Sequence, residues 1–204
     1  MNVVVLIDYQ NIYKDAREAF FAPTDSHRRG QFDPLNLGLL LASKRPIGAE
    51  KVERRLIATR VYSGSPDPRK SPQMHAAHSR QRLAWEKHPS VVAITRPLQY
   101  LPGEPPRQKG VDVALAVDLV TIWSEAHPQR IPDCDILVVA STDTDLLPAV
   151  EYLQRRGEPV VEVASWWAAH FQKQIRSSHG RVWSHRLTRD DYDHVADPRD
   201  YNIE

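Results

Sequence analysis

Short apolar runs recur along the chain, and stretches with a helical period separate them. Val3 to Ile7 is wholly apolar, rich in β-branched side chains, and stops on a charge at Asp8. A run that short and apolar on both faces predicts a strand buried in a parallel sheet. Asn11 to about Phe21 reads as a helix. Asp33-Pro34 then supplies an N-cap and a first-turn proline for a helix over Leu35 to Ser43. The alternation continues with strands at Arg55 to Tyr62, Val91 to Thr95, Ile136 to Ala140 and Val160 to Val163. Between them, helices are expected from Ser71-Pro72 to about Lys87, over Val111 to Ser124, and over Thr144 to Arg156 with Gly157 as C-cap. Trp166 to Ser177 reads as a further helix and Arg181 to Leu187 as a short sixth strand, while the proline-rich segment Pro97 to Lys109 is a loop.

Strands that alternate with helices predict a doubly wound α/β sandwich with a mostly parallel sheet of five or six strands. Ligands of such sheets bind outside the carboxyl ends of the strands, near a switch in strand order. Residues 1–188 are expected to form one domain. Residues 189–204, acidic and poor in apolar side chains, read as a tail.

Composition narrows the setting. With 41% apolar and 26% charged residues the chain is of globular type, and no run approaches a membrane span. The charge at Asp8 interrupts the opening apolar run too early for a signal peptide. A single cysteine, Cys134, excludes an internal disulfide and suits the cytoplasm. A net charge of +1 does not by itself argue for nucleic acid, so local basic clusters carry that question.

The chemistry concentrates at strand ends. Asp8 closes the first strand, and Ser141-Thr142-Asp143-Thr144-Asp145 follows the fourth. If those strands are neighbours, three carboxylates meet at one edge. Like charges at close range raise one another's pKa, and a hard cation relieves them. Oxygen-only ligands suit Mg²⁺ or Mn²⁺ rather than zinc. Capping by Asp143 or Thr142 is the bland alternative. The nearly all-apolar helix from Val111 adds Asp112, in its first turn, and Asp118. Six residues apart, these two point roughly 120° away from each other. Asp112 can reach the edge where Asp8 stands, whereas Asp118 either supports the site from behind or pairs with an arginine. Lys109 before this helix could meet a phosphate, and Asn11 could hydrogen-bond a carboxylate or cap its helix.

Ile7-Asp8-Tyr9-Gln10-Asn11, then Lys109-Gly110-Val111-Asp112 with Asp118, then Ser141-Thr142-Asp143-Thr144-Asp145-Leu146 and Arg156-Gly157 resemble the NYN domain family, a branch of the PIN-like nucleases. Its patterns are close to I-D-x-x-N, K-G-V-D-x-x-L-x-x-D and S-G-D-S-D-F, and the likeness spans roughly residues 3 to 164. It implies a PIN-like three-layer α/β/α sandwich and Mg²⁺- or Mn²⁺-dependent RNA cleavage at Asp8, Asp112, Asp143 and Asp145. Asn11, Lys109, Asp118, Ser141, Thr142 and Thr144 would be supporting residues. Tyr9-Gln10 replaces a glycine-containing turn, Thr142 a glycine and Leu146 an aromatic residue; these departures bear on catalytic vigour more than on metal binding.

RNA, single-stranded or a small structured molecule, needs a basic approach. Arg107 and Lys109 are the nearest candidates, with Arg28-Arg29, Arg54-Arg55, Arg69-Lys70, Arg80 and Arg82 further off. Tyr62, Trp85 and Tyr100 are candidates for base stacking, with core packing as the alternative. His75 and His78 have the spacing of a zinc pair but no accompanying cysteine. Of Trp166-Trp167, one side chain should face inward and the other is free to meet a partner such as a second copy. The rival functions are an inert RNA-binding or adaptor module and a small-molecule phosphohydrolase. The lack of G-x-G-x-x-G and P-loop motifs speaks against a nucleotide-binding protein.

Overall fold

The computed structural model describes residues 1–44 and 52–203. Six parallel strands form one sheet in the order β3-β2-β1-β4-β5-β6. They are β1 (Asn2–Asp8), β2 (Arg55–Ser65), β3 (Val91–Pro97), β4 (Ile136–Ala140), β5 (Val160–Trp166) and β6 (Trp183–Leu187). The helices are α1 (Tyr9–Phe20), α2 (Pro34–Ser43), α3 (Pro72–Trp85), α4 (Val111–Thr121), α5 (Leu147–Arg156) and α6 (Arg189–Val195). The fold is the expected three-layer α/β/α sandwich.

β1 shows why the apolar runs are two-faced. Val3, Val5 and Ile7 enter one core with α1 and α2, while Val4 and Leu6 enter the other with α4 and α5. Side chains alternate across a strand, so a strand covered on both faces is apolar at every position. β1 pairs with β2 on one side and β4 on the other, and the strand order reverses between β1 and β4.

The caps follow the sequence in most places. Asp33 accepts from the N–H groups of Leu35 and Asn36 at the start of α2. Gly157 closes α5 at φ 88°, which only glycine adopts without strain. At Gly64 in β2 a Cβ would stand 2.3 Å from Leu98 and 2.9 Å from Gln108. The bare backbone therefore lets the proline-rich loop after β3 lie directly on β2.

Two expectations are corrected. Trp166 to Ser177 is not a helix. β5 runs on through Ser165 and Trp166, which pair with Arg186 and Leu187 of β6, and an isolated bridge joins Ala168 to Phe171. Trp166 is fully buried and donates its indole N–H to the Ile12 carbonyl at 2.9 Å, while Trp167 lies under the Arg186 guanidinium. Residues 189–203 are not a separate tail; Glu204 lies outside the described residues. Thr188 and Asp191 form a reciprocal capping box that starts α6. Tyr192 packs on Phe20, Phe21 and Trp166, and its hydroxyl accepts from the Gly30 N–H and donates to the Gln31 carbonyl.

Of the two roles open for Asp118, the structure shows the pair with an arginine and not support of the cleft. Its carboxylate accepts from Arg60 at 2.8 Å and from the Tyr62 hydroxyl at 2.5 Å, with His127 at 3.1 Å. Tyr62, buried, and Trp85, in the other core, are thereby excluded as stacking platforms. Arg54 is likewise consumed, paired with Glu162 at 2.7 Å and nearly inaccessible. No helix among the described residues is long and apolar enough to cross a membrane.

Two stability outcomes follow. Asp118→Ala leaves the buried Arg60 guanidinium without its anion and is expected to cost roughly 3 kcal/mol. Arg60→Met combined with Asp118→Leu recovers most of that loss; urea denaturation of the three proteins checks both. Tyr192→Ala, which opens the seam between α1 and α6, is expected to cost about 3 kcal/mol in the same assay.

Candidate active site

The switch in strand order sets Asp8, at the end of β1, beside Ser141 to Asp145, after β4. α4 enters from the opposite face through Gly110, whose φ of 74° turns the chain sharply before Val111. A cleft of about 510 Å³ opens between these segments. Asp8, Asn11, Asp112 and Asp143 line it, and so do the exposed cations Lys14, Arg107 and Lys109.

Asp8 is buried at 7% exposure and caps α1, its carboxylate accepting from the Asn11 N–H at 3.2 Å. Burial is the main force on its titration and pushes the pKa up to about 6. The bond from Asn11 works against that, whereas the charges of Asp143, Asp112 and Asp15 add to it. No cation within ion-pair distance compensates Asp8, Asp112 or Asp143 among the described residues, although ion pairs are plentiful elsewhere.

Asn11 holds the two strand ends together. Its Oδ1 accepts from the Thr142 backbone N–H at 2.9 Å, so the first turn of α1 is bonded to the loop after β4. The Thr142 hydroxyl donates to Asp15 at 2.6 Å. Ser141 is fully buried, and its Oγ accepts from the Asp143 N–H at 3.1 Å. Asp143 caps the 3-10 turn Thr144–Leu146 by accepting from the Asp145 N–H at 2.9 Å. The capping alternative thus holds for Asp143 together with its place in the cleft.

The expected residues divide. Asp8, Asp112, Asp143, Asn11, Lys109 and Arg107 come together around one cleft. Ser141 and Thr142 brace it, and Thr144 and Asp145 are exposed beside it without lining it. Asp118 does not take part. Arg107 pairs with exposed Glu104 at 3.3 Å, which leaves Lys14 and Lys109 as the cations in the cleft without an acidic partner among the described residues. Two residues escaped the sequence reading. Asp15, 5% exposed and with its pKa raised mainly by burial, stands four residues after Asn11 and seven after Asp8, on the same face of α1. Lys14 precedes it. The spacing of 8, 11 and 15 was the available signal.

His75 and His78 form no metal pair. His75 bonds the Pro66 carbonyl and His78 the Ser63 hydroxyl, and burial pulls the pKa of His78 down to about 4.

As donors, Asp8, Asp112 and Asp143 fit a hard divalent cation: all are oxygen ligands, and none has a cation within ion-pair distance among the described residues. Their spacing is open. Among the described residues no three His, Cys, Asp or Glu side chains stand close enough together to hold an ion without adjustment.

Known proteins place the chain. No curated protein matches it. A crystallised Vibrio parahaemolyticus protein of unknown function is 22% identical, with 84% of this chain and 83% of that chain covered and a TM-score of 0.48. The model of the NYN domain matches residues 2–181, almost the whole sheet and every segment around the cleft. The chain belongs to the NYN domain family.

Proposed function

We propose that this protein is a divalent-cation-dependent ribonuclease, with Mg²⁺ or Mn²⁺ held by Asp8, Asp112 and Asp143, and Asp145 joining them from the adjacent turn. One observation carries the reading: three carboxylates line one cleft with no cation within ion-pair distance among the described residues, and the pKa of one of them is pushed up to about 6. A fold retains such an arrangement at a cost in stability unless a ligand repays it. When bound, the cation supplies charge neutralisation and a more acidic water.

The chain's own residues do the rest. Lys14 and Lys109 stand where a phosphodiester entering the cleft would need positive charge. Asn11 fixes the loop after β4 and so sets the separation of Asp143 from Asp8. Thr142 and Asp15 brace the same loop from behind. Water adds to phosphorus and the bond to the leaving sugar oxygen breaks, with no protein nucleophile required. A second reading, an RNA-binding module without turnover, draws on the open spacing of the carboxylates.

Labelled single-stranded RNA incubated with Mg²⁺ is expected to be cleaved, and a chelator to stop it. Asp143→Asn should reduce the rate on the order of 100-fold or more. Equal cleavage by the variant would overturn the role of Asp143, and RNA binding without cleavage by the wild type would select the second reading.

The titration of Asp8 gives an independent check. Its pKa is higher in the folded protein than the unperturbed 3.8, so the folded state holds this proton more tightly. Stability therefore falls as pH rises from about 4 to about 6 and stays lower above that. In metal-free protein Asp8→Asn is expected to be more stable than wild type at pH 7, by up to roughly 3 kcal/mol, with the difference vanishing below pH 4. Added Mn²⁺ should raise the wild-type Tm and leave that of the variant nearly unmoved.

A further inference from the structure

The sheet ends on two edge strands, β3 and β6, and the chain treats them differently. The Ser90 carbonyl accepts from the Thr59 N–H, and the Leu98 N–H donates to the Ser65 carbonyl. Backbone directions alternate along a strand, so the groups of Val91, Ala93, Thr95 and Pro97 face away from β2. Most outward donors there are closed. The Val91 N–H is held by the His88 carbonyl at 2.9 Å and the Ala93 N–H by the Glu86 carboxylate at 3.1 Å, and Pro97 has none. Blocks of this kind keep another strand from adding to an edge.

β6 has no such blocks. The Trp167 N–H donates to the Leu187 carbonyl, so Leu187 turns its backbone to β5. By the same alternation Ser184 and Arg186 turn theirs outward. Their N–H and C=O groups make no hydrogen bond among the described residues. A cavity of about 650 Å³ runs beside that edge and is lined by Trp183 to Arg186. Lys44, at the end of α2, walls it from one layer. Gln174 to Ser177 wall it from the other, anchored by Ile175 in the core of α4 and α5. A slot between two layers, floored by the outer edge of a strand, has the shape of one more strand.

The charge of the slot has one sign. Lys44, Arg176, Arg181 and Arg186 line it, and no acidic residue does so among the described residues. Lys44 is paired with Asp191 at 2.9 Å and Arg186 lies over the Trp167 ring. Arg176 and Arg181 are exposed and have no ion pair among the described residues. Glu151, nearby, is taken up by Ser177, Ser178 and His179. Two copies of this edge laid together would set arginines against arginines, which disfavours a second copy as the occupant.

We propose that an extended acidic segment of a partner protein adds to β6 as a further strand, its backbone bonded to Ser184 and Arg186 and its carboxylates on Arg176 and Arg181. Strand addition takes affinity from the main chain and selectivity from side chains that alternate along it. The open N–H and C=O groups select a peptide backbone, and the arginines select its charge. RNA would satisfy the arginines but has no chain of matching donors and acceptors. The proposal stands apart from the ribonuclease reading, because the edge is open whether or not the cleft cuts RNA.

The test uses the full chain and a fluorescein-labelled heptapeptide alternating Glu with Val. Fluorescence anisotropy reads Kd, and amide hydrogen exchange followed by NMR reads the place of binding. Saturable binding with a Kd below about 1 mM is expected. Exchange should slow at the Ser184 and Arg186 amides and stay unchanged at His185 and Leu187, which already face β5. Arg176→Ala with Arg181→Ala should weaken binding at least ~10-fold. Ser184→Pro removes an outward donor without touching the ladder to β5 and should weaken binding likewise. Should that variant fail to fold, N-methylated peptides give the same readout: methylation of one alternate set of amides abolishes binding and methylation of the other does not. No saturable binding, equal binding of a heptapeptide alternating Lys with Val, or unchanged exchange at Ser184 and Arg186 overturns the proposal. So does an oligouridylate that slows the same two amides, which would make the edge an RNA contact. A dimer of the protein alone that sedimentation detects and Ser184→Pro dissolves overturns it too, in favour of a second copy.

Discussion

β1 lies between β2 and β4, hydrogen-bonded to both, and every residue from Val3 to Asp8 is buried. That central position decides where chemistry can occur. The sheet is wound outward in both directions from β1 and β4, so the connections that leave their carboxyl ends diverge to opposite faces. A crevice opens where they part. Asp8 arrives there because it is the last residue of the central strand, and Asp143 because it follows the neighbouring one. The bond from the Thr142 N–H to Asn11 then closes the gap between the two connections at one point.

The electrostatic balance differs sharply across the molecule. Away from the cleft, buried and half-buried acids are matched: Asp118 by Arg60, Glu162 by Arg54 and His185, and Asp197 by Arg199 and the Tyr201 hydroxyl. Around the cleft the carboxylates have no such cation, and the lysines present are exposed. Since the same chain satisfies its other buried acids so fully, the difference marks the cleft as a place shaped by something other than folding stability.

Much of this was legible in the sequence. The strands were, because a parallel sheet covered on both faces demands apolar side chains at consecutive positions, as in Val3 to Ile7 and Ile136 to Ala140. Asp8, Asp112 and Asp143 were legible because charges ending or interrupting such runs have few structural uses. What the sequence hid depended on distant partners. Trp166 to Ser177 looked helical by local composition, yet Trp166 pairs with Leu187 as the last residue of β5. Tyr192 sits in an acidic segment, and its partners Gly30, Gln31 and Trp166 are far away along the chain. Asp15 became visible as part of the cleft's support only once Thr142 was placed against α1.

Gly64 gives the basic loop a mechanical character. Because β2 carries no side chain there, Leu98 and Gln108 rest against its backbone, and the Gln99–Arg107 bridge ties the two arms of the loop to each other. The segment bearing Arg107 and Lys109 is thereby seated on the sheet like a bracket bolted to a beam. Its reach over the cleft is set by the stiffness of β2 and not by the slackness usual in a proline-rich connection.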